Sequence, residues 1–377
     1  MSRARGFAAL AVALTGVWAA ALALHLERVA SGRLAWVGVW VRAAEAPDRF
    51  PAIDDVWAAS NAAHADLHPG DRLLRAGGLD LRGVGPVGFV ARAYETAGRD
   101  LAVALALERD GATRETVLRL TPVAYPWRVL PLTVALVVCA GLVLLRRGPD
   151  RVGRAFFFAA IAFSLHWTFF PGGVRTITYA WAAVFACAST VMFPLALRPL
   201  LLLPPDVAPA GRLPAWPWLF AVFGPLSTSW VFGTPFPGAA ALRGVFAVNV
   251  AFIATLLAVV TRNYRRAGRA GRRQLRWVVY GLYVGTVPVA AADVVSALRP
   301  ALWWTHDVAA IAEAAIPLCV LVAIVRANLF DVDRLISATA AYTLLSVVVV
   351  TALLTVVPAA ARAASSAAGI PAGHGEL

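Results

Sequence analysis

Read for hydropathy alone, the chain is a series of long apolar runs separated by short polar stretches, with one wide polar interval near the start. About 20 consecutive apolar residues carry a helix across a bilayer. Runs of that kind fall at 6–24, 127–145, 155–171, 176–203, 215–235, 243–261, 277–297, 307–325 and 338–357. They predict a polytopic α-helical membrane protein of about nine spans, or eight if the first, which follows Arg3 and Arg5, is a cleaved signal rather than an anchor.

The wide polar interval patterns differently. Leu101, Val103, Leu105 and Leu107 alternate with smaller or polar residues, turn at Asp110-Gly111 and return through Val117 and Leu118, which predicts a β-hairpin. Arg72–Ala76 reads as a strand ending at the turn Gly77-Gly78, and Val87, Val90, Ala91 and Tyr94 have helical spacing closed by Gly98. A small α+β domain over 25–126 is expected, between a first span at 1–24 and a helical bundle at 127–357. An Ala/Gly-rich tail at 358–377 is expected to be disordered.

Composition agrees with this division. Hydrophobic residues make up 60% of the chain and charged residues 15%, against about half and about a quarter in soluble domains. Mean hydropathy is +0.71 and the isoelectric point about 10.9. The net charge of +13 comes entirely from arginine, and those arginines gather in loops between apolar runs. That is the positive-inside signature of topology, so nucleic acid is not the expected partner. "RRGPDRVGR" (146–154) and "RNYRRAGRAGRRQLR" (262–276) mark the cytoplasmic side. The polar domain is therefore placed on the outer side of the cytoplasmic membrane, with Trp303 and Trp304 in an outer aromatic belt.

The stretch "ASNAAHADLHPGDRLLRAGGL" (59–79) is similar to the bacterial PDZ pattern, with Leu67, Gly70, Asp71 and Leu73 as its motif residues. It departs from that pattern at Asp66, where glycine is usual, and at Gly77, where asparagine is usual. The resemblance covers 33–123 and implies recognition of an extracytoplasmic peptide or envelope protein. Such a peptide would be added as a strand beside the edge strand in "LAWVGVWV", whose groove side would be Gly38, Val39, Trp40 and Val41. The same four residues read equally well as first-strand core.

Two further stretches resemble the amino-terminal membrane region of bacterial sensor histidine kinases. One is "RRQLRWVVYGLYVGTVP" (272–288), with Gln274 and Trp277; the other is "RANLFDVDRLISATAAYTLL" (326–345), with Asp331, Asp333 and Arg334. The resemblance implies a membrane sensor coupled to a cytoplasmic autophosphorylating kinase. The chain carries no phosphoacceptor-type helix and no Gly-rich ATP-lid motif, so it is expected to be non-catalytic and to act with a further kinase domain, a kinase partner or a second copy of itself. The alternatives are a scaffold that recruits envelope proteins to the membrane and, less favoured, a transporter.

Ionisable residues within apolar spans are costly and are functional candidates by default. Here they are His166, Asp293 and Glu313, which a proton or ligand sensor, or the transporter reading, would use. Pro288 and Pro317 are expected to kink their helices. No metal or cofactor is expected: His64 and His68 lack neighbouring ligands, and Cys139, Cys187 and Cys319 lie in apolar runs as small buried hydrophobes. HExxH and Gly-x-Gly-Asp protease motifs are absent from the sequence.

Overall fold

A computed structural model describes residues 2–327, apart from 44–45, 124–128, 148, 169–173, 205–206, 208–210 and 300–301. Asp331, Asp333, Arg334, the run at 338–357 and the tail at 358–377 lie outside the described residues.

Helix α1, Ser2–Ala30, leads into the sheet region. Its elements are β1 (Ala35–Trp36), β2 (Val39–Arg42), β3 (Ala52–Val56), β4 (Arg72–Ala76), β5 (Leu79–Asp80), α2 (Pro86–Thr96), β6 (Ala102–Arg109), β7 (Ala112–Arg119) and β8 (Thr121–Pro122). Every pairing is antiparallel. The main sheet has the order β2-β3-β4-β6-β7, with β5 on β4, while β1 pairs with β8 in a small separate sheet. The alternation read from sequence sets the faces: Val103, Leu105 and Leu107 point into the core. Asp110 (φ 54) and Gly111 (φ +76) make the two-residue turn whose left-handed backbone matches strand twist. Helix α2 starts with proline in its first turn, where no amide bond is lost, and buries Phe89, Val90, Ala93 and Tyr94 against the sheet.

The rest is helical: α3 (Val129–Arg147), α4 (Arg151–Trp167), α5 (Arg175–Leu201), a 3₁₀ segment (Trp216–Val222) running into α6 (Phe223–Phe232), α7 (Gly238–Arg266), α8 (Arg269–Leu298), α9 (Trp304–Ala309), a second 3₁₀ segment (Ala310–Ala314) and α10 (Ala315–Ala327). Each apolar run expected within the described residues falls on helix. Among the described residues, five stretches are long and apolar enough to cross a membrane: Arg5–Ala30, Arg175–Leu201, Gly238–Arg266, Arg269–Leu298 and Trp304–Ala323. The chain is thus mostly helical and membrane-protein-like, with one β-sheet region.

Local chemistry fixes several junctions. Asp150 caps α4 by accepting from the Gly153 amide at 2.6 Å. The Asn263 amide donates to the carbonyls of Leu200 and Leu203, tying the end of α5 to α7. Helices α8 and α10 approach through Gly281 and Gly285. A Cβ there would lie 2.4 Å from Cys319 Cβ and 2.6 Å from Ile316 Cγ1, the small-residue spacing that lets apolar helices touch closely. Pro288 lies inside α8, whose assignment runs unbroken from Arg269 to Leu298. Pro317 sits in the first turn of α10, where proline is tolerated. Cys187 is exposed, a correction to the expectation that all three cysteines are buried; Cys139 and Cys319 are buried as read.

Candidate functional site

Two features converge where the sheet region meets the bundle: a filled groove and, beneath it, a cavity.

The groove lies between β2 and α2, the place singled out in sequence by Gly38, Val39, Trp40 and Val41. Gly38 (φ +75) is in a left-handed conformation, and a Cβ there would fall 2.4 Å from Ser60 Oγ, so both backbone and space require glycine. Among the described residues strand β2 is an edge strand, paired only with β3, yet Val39, Trp40 and Val41 are all buried. The bundle covers them. The Trp40 indole donates to the Trp230 carbonyl, Gly233 lies against the Val41 backbone, and a Cβ on Gly238 would fall 2.3 Å from the Trp40 ring. Trp230 and Val231 line the groove alongside Val90 and Tyr94, leaving a void of only about 20 Å³. The buried Tyr94 hydroxyl donates to the Ala35 carbonyl at 2.7 Å, and burial pushes the phenol pKa up.

Around this seam the aromatic side chains continue. Trp57 meets Trp303 edge-on at 5.0 Å, and Trp230 contacts Trp36 at 5.4 Å and Trp303 at 5.5 Å. Trp303 is thus packed against Trp57 of the sheet region, while Trp304 is exposed.

The motif residues of the PDZ resemblance are structural. Leu67 and Leu73 are core, and Gly70 has φ +96. Asp71 is buried and accepts from the His68 amide at 2.9 Å and from Arg109 Nε and Nη2 at 2.7 Å each. The Arg109 hydrogen bonds, outweighing burial, hold its carboxyl below the ordinary value of 3.8. Asp66, the departure from the pattern, shares the same arginine at 3.1 Å.

The cavity encloses about 250 Å³ in the bundle. His166, Asp293 and Glu313, predicted separately from three different runs, all line it. Asp293 is fully buried; its Oδ2 accepts from Asn249 Nδ2 at 2.6 Å and its Oδ1 lies 2.9 Å from His306 Nδ1. His166 Nδ1 lies 2.8 Å from Ser189 Oγ, whose own proton goes to the Phe185 carbonyl at 2.6 Å. With that proton so placed, the neutral imidazole donates from Nδ1 and keeps Nε2 as an acceptor. Ser227 Oγ also lines the cavity, buried and without a hydrogen-bond partner among the described residues.

Depth orders these groups. His166 ends α4, Asp293 is five residues from the end of α8, and His306 and Glu313 begin the α9–α10 stretch. Along their helices they lie nearer the sheet region than the lining residues Phe156, Leu282 and Val320, and Trp36, Trp230 and Trp303 complete the lining on that side. The opposite half is apolar, lined by residues such as Leu256, Val278, Leu282 and Val320.

Asn249, His306 and Ser227 were missed in sequence. A single amide in "FAVNVAF" is a visible polar interruption of a span, and His306 directly follows the Trp-Trp pair; no signal marks Ser227. Gln274 and Trp277 lie near the start of α8, far along the helix from Asp293, with Trp277 edge-on to Tyr280 at 6.4 Å.

No protein-family model matches the chain, and no curated protein and no solved structure is similar to it.

Proposed function

We propose that this chain is a membrane signal-transduction protein of the bacterial inner membrane, the sensory part of a system resembling a histidine kinase. It would have about nine spans and a PDZ-like module outside. The observation that carries this reading is the groove between β2 and α2, filled by Trp230 and Val231 of the chain's own bundle. In a PDZ-like module an extended peptide takes that place, pairing with the edge strand. Here a peptide, or the terminus of an envelope protein, gains the edge of β2 only by displacing α6.

Displacement moves α6 against α7 and against the cavity wall that Trp230 helps to form. Peptide binding and bundle conformation then become one coupled equilibrium, since a ligand that binds one state better shifts the population toward it. The kinase output would come from a further domain or a partner chain, reached through the arginine-rich ends of α7 and α8. A scaffold needs a groove open at rest, and the filled groove favours the sensor over it.

The test uses the full chain in lipid nanodiscs and peptides selected from a random library of extended carboxyl termini. Selection is made on Trp230→Ala, which opens the groove but keeps the carbonyl that Trp40 uses. Selected peptides should bind this variant at least about tenfold more tightly than the wild type, the scale of one buried contact. In the wild type they should raise hydrogen exchange in α6 and the first turns of α7. Equal affinity for both forms refutes a groove held by the bundle, and the absence of any selected binder refutes peptide recognition altogether.

A further inference from the structure

The cavity beneath the sheet region is a second site, and its chemistry stands independently of any peptide. We propose that it binds an amphiphile with an apolar chain and a small, uncharged, hydroxyl-bearing head.

The lining excludes the charged alternatives. Among the described residues no arginine lines the cavity, while Asp293 and Glu313 do, so an anionic head such as a phosphate or a fatty carboxylate meets two carboxyl groups and no guanidinium. A cationic head finds both oxygens of Asp293 already engaged, one by Asn249 and one by His306, and Glu313 engaged as well. Asp293 is thereby a positioning residue that orients His306.

What the walls offer is a set of neutral partners. His166, with Nδ1–H committed to Ser189, presents Nε2 as an acceptor. His306, with Nδ1 on Asp293, has Nε2 as its remaining nitrogen. Ser227 contributes a buried hydroxyl with no partner among the described residues, a group that loses free energy until something fills its hydrogen bond. Acceptor nitrogens call for a ligand that brings its own protons, and a hydroxyl group does so without adding charge.

The rest of the ligand follows from shape. At about 250 Å³ the cavity is close to the lower end of small-molecule pockets, which run from about 300 Å³. It has room for a head and the first part of a chain. The polar groups lie at the end nearest the sheet region and the apolar walls of Leu256, Leu282 and Val320 at the other. A head held beneath Trp36 and Trp230 with its chain along α7 and α8 satisfies both ends. Two membrane sources share this chemistry: a diglyceride-type lipid and an isoprenoid hydroquinone.

The experiment titrates the full chain in nanodiscs with a decyl hydroquinone, with dioctanoylglycerol and with oleate, following the fluorescence of the lining tryptophans. Saturable binding of the hydroquinone, of the diglyceride or of both supports the site and identifies its source, and oleate should bind at least about tenfold more weakly. Ser227→Ala and His166→Phe should each weaken binding by about fivefold, the value of one uncharged hydrogen bond. Ala196→Trp, which fills the wall, should abolish it. Failure of both uncharged probes, oleate binding as tightly as either, or affinities unchanged in the Ser227→Ala and His166→Phe proteins would overturn the proposal. Those two substitutions are small enough to read even if Ala196→Trp does not fold.

Discussion

Asp71 in the sheet region and Asp293 in the bundle are both buried carboxylates that use both oxygens, yet they do different work. Asp71 is held by a permanent cation and by an amide three residues back in the chain. Its charge is matched, its loop is closed, and nothing adjustable remains. Asp293 is held by an amide 44 residues away and an imidazole 13 residues away, on three different helices. Its partners include no fixed cation, and the imidazole keeps a second nitrogen in a cavity. The first arrangement stabilises a local fold; the second joins helices around a space.

The comparison breaks most visibly at Asp293. Replacing it with alanine leaves the Asn249 amide and the His306 ring without their acceptor in a fully buried place, and removing one partner of such a pair costs about 3 kcal/mol or more. Thermal unfolding of the detergent-solubilised chain should show that loss, with Asp293→Asn recovering part of it through its carbonyl. An unaltered melting curve for the alanine variant would mean that these contacts do not join α7, α8 and α9.

The seam between the two regions gives the next effect. Gly238→Ala places a methyl group 2.3 Å from the Trp40 ring, so either the ring or the start of α7 must move, and overpacking of this kind costs about 1–3 kcal/mol. Hydrogen exchange should rise in β2 and at the start of α7 together. A rise confined to α7 would show that the sheet region does not rely on the bundle to cover its edge. Within the sheet region, Asp71→Ala leaves the Arg109 guanidinium with Asp66 alone and strands the His68 amide. It should cost about 2 kcal/mol, read as faster exchange in β4 and β6 with α8 unaffected.

Legibility divides along the same line. The hairpin of β6 and β7, the turn at Gly77-Gly78 and helix α2 were all readable because their signals are local: alternation, an Asp-Gly pair, a helical repeat. Helix positions in the bundle were readable from hydropathy for the same reason. The carboxylates and the histidine of the cavity were readable one at a time, since an ionisable residue in an apolar run stands out, but not their convergence. Asn249 and His306 reach Asp293 from other helices, and nothing in the spacing of 249, 293 and 306 encodes that meeting. The filling of the β2–α2 groove by Trp230 was hidden for a like reason, because a strand edge in sequence carries no mark of what will cover it.

The finest distinction between the two carboxylates is a matter of charge, and pH resolves it at Asp71. Arg109 holds the folded pKa of Asp71 below 3.8, so the folded state favours the ionised form. A group depressed in this way contributes its full stability above the unfolded value, about 3.9, and loses it as pH falls through the lower folded value. Asp71→Asn keeps the shape but not the charge, and should cost about 1 kcal/mol at neutral pH, the difference between a charged and an uncharged hydrogen bond. Amide exchange of residues 66–71, measured in the full chain from pH 7 down to pH 3 and corrected for intrinsic rates, should show a gap between wild type and variant. That gap should stay constant down to about pH 4 and close below it. A gap that persists unchanged at pH 3 would assign the contribution of Asp71 to packing and hydrogen-bond geometry, and the two carboxylates would then differ in their partners but not in the role of charge.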